Sequence, residues 1–302
     1  MQAELVFDAR NAIGESPVWL AAQQALYWVD IPRRALYRLD PATGQVSQWT
    51  APEMIGCIAA HAGGGWICAL ETGVFHLSAD SDGALRGPRV AAVDHARPKM
   101  RFNDGRCDRQ GRFRAGTMRM DMGAAQSVGL VYALEDDGTL RPLVEGLIVP
   151  NGMAFSPDGR TMYLSDSHPQ IQRIWSYHYD IDSGTPSGRR LFVDMKPLPG
   201  RPDGAAIDED GCYWICGNDA GLVHRFTPAG ELDRSLAVPV RKPAMCAFGG
   251  PRLDTLYVTS IRPEGIDLSD QPLAGGVFAL APGTRGVPEP SFIQQSATER
   301  KT

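Results

Sequence analysis

This sequence predicts an all-β fold, a six-bladed β-propeller in which the N-terminal strand closes the last blade. Three observations predict it: one plan recurs six times, the recurrence has the length of a propeller blade, and helical periodicity is nearly absent. The repeats start at Gly14, Gly56, Phe102, Pro150, Pro202 and Ala244, 42 to 52 residues apart. Each holds a small or turn residue, a short apolar strand, a Gly/Asp turn, a second strand rich in Tyr, Trp, Val and Ile, then a third strand and a weaker fourth.

The first repeat, GESPVWLAAQQALYWVDIPRRALYRLDPATGQVSQW, shows the whole plan. The second is GCIAAHAGGGWICALETGVFHLSADSDGAL, and the third is FNDGRCDRQGRFRAGTM completed by GLVYALEDDGTLRPLV. The fourth runs PNGMAFSPDGRTMYLSDS and then QRIWSYHYDIDSGT. PDGAAIDEDGCYWICGNDAGLVHRFTPAGELDRSL is the fifth, and AMCAFGGPRLDTLYVTSIRP with GGVFALAPGT is the sixth. Dipeptides such as Asp137-Gly138, Asp158-Gly159 and Asp210-Gly211 separate the runs, as tight hairpins require. A four-stranded unit cannot bury both faces alone, so the units stack around an axis. A β-sandwich of similar strand count would give no reason for a period. The strand at about Ala3 to Asp8 has no partner in the first repeat. It is expected to supply the outer strand of the last blade, beside the segment near Phe292, and so to remove an open sheet edge. The chain, residues 1–302, reads as one domain.

Bulk composition narrows the function. With 302 residues, 43% hydrophobic and 22% charged, the chain can bury a large core. Its formal net charge is −5 and its Lys and Arg are scattered, which argues against a nucleic-acid partner. No basic N-terminal region precedes an apolar run, and no stretch of eighteen apolar residues occurs, so a cytoplasmic protein without a membrane partner is expected. The six cysteines lie mostly in apolar runs without disulfide or zinc-knuckle spacing, and read as reduced, packing thiols. A closed propeller is expected to be a monomer.

The start of each blade's innermost strand faces the central channel, so matched repeat positions form a ring. That ring is Glu15, Cys57, Asn103, Asn151, Asp203 and Met245. Carboxylates are rarely buried unless paired or bound to metal, so two carboxylates and two amides on one axis mark a cation site. Oxygen ligands suit Ca²⁺, Mg²⁺ or Mn²⁺, and carboxylates also hold Zn²⁺ or Fe²⁺; with no His in the ring, the metal stays unnamed. The alternative is that Asn151-Gly152, Asp203-Gly204 and Asn103-Asp104-Gly105 only cap tight turns. It leaves Glu15 and the common register unexplained. Asp166, in YLSDS, is open between a contact to this channel and a turn cap. No GxSxG elbow is present, and none of the six histidines has metal-ligand spacing.

From Gly14 to about Phe292 the chain resembles the regucalcin (senescence marker protein) and gluconolactonase family. The matching blocks are GESPVW (14–19), YWVDI (27–31), RFNDG (101–105), AGTM (115–118), PNGMAFSPDG (150–159), PDGAAID (202–208), and CAFGG with LYVTS between Cys246 and Ser260. The resemblance implies a metal-dependent sugar lactonase holding one divalent ion on Glu15, Asn151 and Asp203. It also implies substrate contacts from Arg101 and Asn103, so Asn103, which register places with the ligands, passes to the substrate. A third contact follows AGTM, with Asp121 of RMDM as its counterpart, although Arg119 and Met120 depart from the family pattern. The substrate would be a small sugar lactone. Asp203 is expected to act as both ligand and proton acceptor, being the nearest channel carboxylate. The other reading is a calcium-binding regulatory propeller without turnover, and a polyol-binding rim at RFNDG favours the enzyme. A related esterase or phosphotriesterase propeller would call for a more apolar pocket and for secretion.

Overall fold

Each repeat folds into one antiparallel sheet in a computed structural model that describes residues 3–294. Blade one comprises Gly14–Leu20, Ala25–Asp30, Ala35–Asp40 and Gln45–Thr50; blade two Cys57–Ala60, Trp66–Ala69, Gly73–Ala79 and Arg89–Ala92, with Leu85–Arg86 beside the third strand. Blade three is Met100–Cys107, Phe113–Arg119, Gly129–Leu134 and Leu140–Leu147, and blade four is Pro150–Phe155, Thr161–Asp166, Arg173–Asp180 and Thr185–Asp194. Blade five is Arg201–Ile207, Tyr213–Asn218, Leu222–Phe226 and Leu232–Ala237. Pro243–Gly249, Thr255–Ser260 and Val277–Leu280 form blade six together with the N-terminal strand Glu4–Phe7. The six sheets stand in a ring as a β-propeller. Among the described residues the only helical turns are Ala21–Gln23 and Met122–Ala124, and no helix is long and apolar enough to cross a membrane.

The hairpins turn where the Asp-Gly pairs stand. Gly159 and Gly211 have φ of 73° and 78°, the left-handed region that a Cβ disfavours. The strands between them are buried on both faces by the neighbouring blades, as with Ala25–Asp30 and Tyr213–Asn218. Aromatic side chains fill the wedges between sheets: Trp28 stacks on Tyr37 at 5.0 Å, and Trp19 of blade one on Tyr257 of blade six at 5.7 Å. All six cysteines are free and buried.

The N-terminal strand closes blade six, pairing antiparallel with Val277–Leu280 through Leu5 and Phe278. The expected neighbour near Phe292 is corrected. Phe292 instead bridges to His61 and exchanges backbone hydrogen bonds with Ala60 and Ala62 of blade two. The segment just before it crosses the floor of the channel, where Glu289 Oε1 accepts from Arg106 Nη1 at 3.1 Å. A closing strand needs an edge with free backbone groups, and Val277–Leu280 supplies one; the Phe292 segment leaves the sheet and plugs the ring.

In five of the six blades the pairing between the innermost and second strands slips at the ring position. The slips fall between Glu15 and Val18, Phe102 and Gly105, Asn151 and Ala154, Pro202 and Ala205, and Pro243 and Cys246. Blade two, with Cys57 in the ring, pairs without a slip. A bulge inserts a residue on one side and re-aims side chains, so these slips turn Glu15, Asn103, Asn151 and Asp203 toward the axis. The residue after the ring position then ties blades together: Ser16 Oγ accepts from Ile58 N at 2.9 Å, and Asp104 Oδ2 from Met153 N at 2.8 Å.

Candidate active site in the channel

The side chains of Glu15, Asn151 and Asp203 are buried in the channel, on blades one, four and five. Asn151 Nδ2 donates to Asp203 Oδ1 at 2.7 Å and to Ser167 Oγ at 2.8 Å. Its bonds therefore run across blades rather than into a local turn. Asn218 Nδ2 donates to the other carboxylate oxygen of Asp203 at 2.6 Å, and Ser167 Oγ donates to the Pro202 carbonyl. Ser167 and Asn218 stand at the ends of the second strands of their blades, near the residues that face Pro150 and Pro202. Sequence reasoning missed this second ring, although the same repeat register, read one strand outward, contains it.

Burial and like charge strain the two carboxylates. The Glu15 carboxyl is held well above its ordinary value, by burial first and then by Asp203 and Asp104. Burial also pushes Asp203 up to about 7, against the opposing pull of Arg201 and the Asn218 amide. Asp104, on the strand that carries Asn103, is raised by burial as well. Its Oδ1 and Asn151 Oδ1 are buried without a hydrogen-bond partner. An orphaned amide oxygen beside two mutually repelling carboxylates is the donor set that a hard divalent cation satisfies. Glu15, Asn151 and Asp203 fit such an ion. Among the described residues no three His, Cys, Asp or Glu side chains gather to hold a metal, so the site depends on the amide.

Arg101 is buried at the same end of the channel, and its Nη1 donates to the Phe102 carbonyl at 2.7 Å and to Asn103 Oδ1 at 2.8 Å. Burial lowers its pKa to about 10, while Glu15, Cys57, Glu71 and Asp203 work the other way. Asn103 Nδ2 donates to the carbonyl of Pro150, next to the ligand Asn151, at 3.0 Å. Asn103 thereby links Arg101 to blade four. Asp121 stands apart: its side chain is 59% exposed and faces Arg119 at 3.6 Å, on a rim loop that His168 Nε2 ties to blade four through the Met122 carbonyl. Asp166 is a cap, accepting from Ile148 N at 2.7 Å, Val149 N at 3.1 Å and His168 N at 3.0 Å.

A family model described as SMP-30/Gluconolactonase/LRE-like region matches residues 13–262. The chain belongs to this family. A 6-deoxy-6-sulfogluconolactonase of Pseudomonas putida is 40% identical over 285 residues, covering 93% of this chain and 95% of the relative. A pentonolactonase of Haloferax volcanii is 33% identical over 296 residues, 96% of this chain and 97% of its own. The solved structure of a calcium-binding protein, regucalcin, from Agrobacterium tumefaciens matches with a TM-score of 0.87 at 28% identity, covering 96% of this chain and 97% of that one.

Proposed function

We propose that this chain is a sugar lactonase that opens an aldonolactone to the aldonic acid in carbohydrate breakdown, with one divalent cation on Glu15, Asn151 and Asp203. Family membership and two relatives that are lactonases by name support the reaction class. The observation that carries the site is the orphaned Asn151 Oδ1 beside two buried carboxylates, both raised by burial, with Asp203 raising Glu15 further. Bound there, the cation would supply Lewis-acid activation of the lactone carbonyl and of a water molecule. Arg101 presents guanidinium donors to the hydroxyls of the sugar ring, and Asn103 holds that guanidinium through its amide oxygen. Water oxygen adds to the lactone carbonyl carbon, the ring C–O bond breaks, and the ring oxygen takes up a proton. Asp203 receives the proton that the attacking water gives up. Asn151 and Asn218 fix both of its oxygens, so the carboxylate is oriented before substrate arrives. Asp121, at the exposed rim, is proposed as a third substrate contact.

A second reading is a calcium-binding regulatory propeller without turnover, favoured by the regucalcin match. One experiment separates the two: acid release from a panel of aldonolactones, after chelation and after return of Ca²⁺, Mg²⁺, Mn²⁺, Zn²⁺ or Fe²⁺ in turn. The lactonase reading expects metal-restored hydrolysis above a blank containing the same ion. Thermal stabilisation by calcium with no lactone turned over would establish the regulatory reading. The protein is proposed to act as a cytoplasmic monomer of one domain, without nucleic-acid or membrane partners.

A further inference from the structure

Beyond Asp203 the rim of blades five and six carries a cluster of which only Arg201, through its pull on the Asp203 carboxyl, bears on cation binding or ester cleavage. Arg201 Nε donates to Asp219 Oδ2 at 2.6 Å, and Lys242 Nζ grips Asp219 Oδ1 from blade six. Arg201 also donates from Nη1 to the Ser167 carbonyl at 3.1 Å and from Nη2 to Asn218 Oδ1 at 3.4 Å. Ser167 and Asn218 are the partners of Asn151 and Asp203, so the guanidinium sits one residue outside the reaction site. All three groups face solvent in part: the side chains of Arg201, Asp219 and Lys242 are 19%, 43% and 29% exposed.

Holding Ser167 and Asn218 in place accounts for Arg201, but not for the rest. A clamp would need at most Arg201 and Asp219, a neutral pair. Lys242 gives the trio a charge of +1 beside the mouth of a channel, in a chain whose formal net charge is −5. Asp219 also adopts φ of 79°, a left-handed conformation costly for a residue with a Cβ. Burial notwithstanding, Lys242 and Arg201 hold its carboxyl below the ordinary value. Among the described residues these bonds leave Arg201 two of five N–H groups and Lys242 two of three on part-exposed side chains, at a rim that a neutral polyol could line with amides and hydroxyls alone. Two cations converging on one exposed carboxylate form a fork that a second anion can enter.

Resting on the lactonase reading, we infer that Arg201 and Lys242 form an anion subsite, and that the preferred lactone carries a sulfonate, phosphate or carboxylate at the exocyclic carbon on the alcohol side of its ester, away from the carbonyl. With the carbonyl among Glu15, Asn151 and Asp203, the exocyclic carbon beside the ring oxygen would lie toward Arg201 and Lys242; the guanidinium partners Ser167 and Asn218 border Asn151 and Asp203. Asp219 keeps the two cations apart and oriented until the substrate's anion shares them.

The test compares two probes with one ring size, glucono-1,5-lactone and 6-phosphoglucono-1,5-lactone, on the metal-loaded enzyme. The anionic lactone is expected to have at least about tenfold higher kcat/KM, and that preference should shrink as ionic strength rises. Lys242→Gln should reduce the ratio about tenfold and Lys242→Glu further, chiefly through KM. Binding is measured separately by calorimetry with gluconate and 6-phosphogluconate, which need no turnover; the second should bind about tenfold tighter to the wild type and not to Lys242→Glu. Equal binding of the two acids by the wild type, or a ratio unmoved in both Lys242 variants, overturns the subsite. Unequal binding with no hydrolysis of either lactone keeps the anion subsite and overturns the lactonase reading.

Discussion

Replacing Asp203 by Asn should stabilise the metal-free protein while abolishing its activity. The carboxyl moves from an ordinary 3.8 to about 7 on folding. Between those values the folded chain holds a proton that the unfolded chain has lost, so stability falls as pH rises through that window. At about 1.36 kcal/mol for each pH unit the loss is roughly 4 kcal/mol by pH 8. The amide introduced by Asp203→Asn would not ionise, and turning the Asn151 amide over presents its unpartnered Oδ1 to the new donor. A chain of 302 residues unfolds with an entropy of roughly 0.6 kcal/mol per kelvin, so the variant should melt about 6 °C higher than wild type in chelator at pH 8. At pH 4, where the folded wild type is neutral at this position too, the gap should close. Adding the activating cation narrows the gap, because an ion at a hundred times its Kd returns about 2.7 kcal/mol to the wild type and little to the variant, and at a thousand times its Kd the return of about 4.1 kcal/mol closes it. Melting curves of both proteins at pH 4, 6 and 8, with chelator and with metal, carry the assay. A metal-free variant melting at or below wild type at pH 8, or a gap independent of pH, would refute the reasoning.

Four further outcomes follow from the same geometry. Glu15→Gln should keep the fold and lose most of the melting-temperature rise that the cation gives, read by the same curves. Asn218→Ala removes an amide that pulls the Asp203 pKa down; kcat should fall at least about tenfold and the acidic limb of the pH profile of kcat/KM should move upward, a shift that a merely structural change would not cause. Arg101→Lys keeps the charge but loses the planar fork over Phe102 and Asn103, so KM should rise about tenfold with kcat less affected. Asp166→Ala strands three buried backbone donors and should cost about 3 kcal/mol, seen as a melting temperature lower by about 5 °C with the metal requirement unchanged.

Much of the fold was legible because a blade needs its neighbours: the repeats of short apolar runs and Asp-Gly turns have no other way to bury two faces. The ring was legible for the same reason, since Glu15, Asn151 and Asp203 stand in one register. What register could not convey was the bulge at each of them. Bulges depend on backbone pairing, and Gly152 or Gly204 in the sequence serves a turn as readily as a strand slip. The partners of the ligands were hidden because Ser167 and Asn218 are common residue types one strand away, where only pairing reveals them. Asp166 was ambiguous in sequence because the same short side chain caps backbone donors or faces a channel; three N–H groups decide it. The neighbour of the N-terminal strand was hidden for a related reason, since Phe278 and Phe292 are both aromatic residues near the end of the chain and only backbone pairing tells them apart. The rim loop holding Asp121 belongs to no repeat, so nothing periodic could place it.

The closing strand Glu4–Phe7 makes the reaction site a product of ring completion. Glu15 arrives with the first blade to be synthesised, whereas Asn151 and Asp203 come from the fourth and fifth, and blade one is seated against blade six by contacts such as Trp19 on Tyr257. Until the last sheet takes up its N-terminal edge, the first carboxylate has no fixed place relative to the other two ligands. Metal affinity is therefore a property of the closed circle rather than of any blade. A lesion at that seam, far from the sugar, should loosen the ion first, so metal release offers a sensitive early signal that the circle has opened.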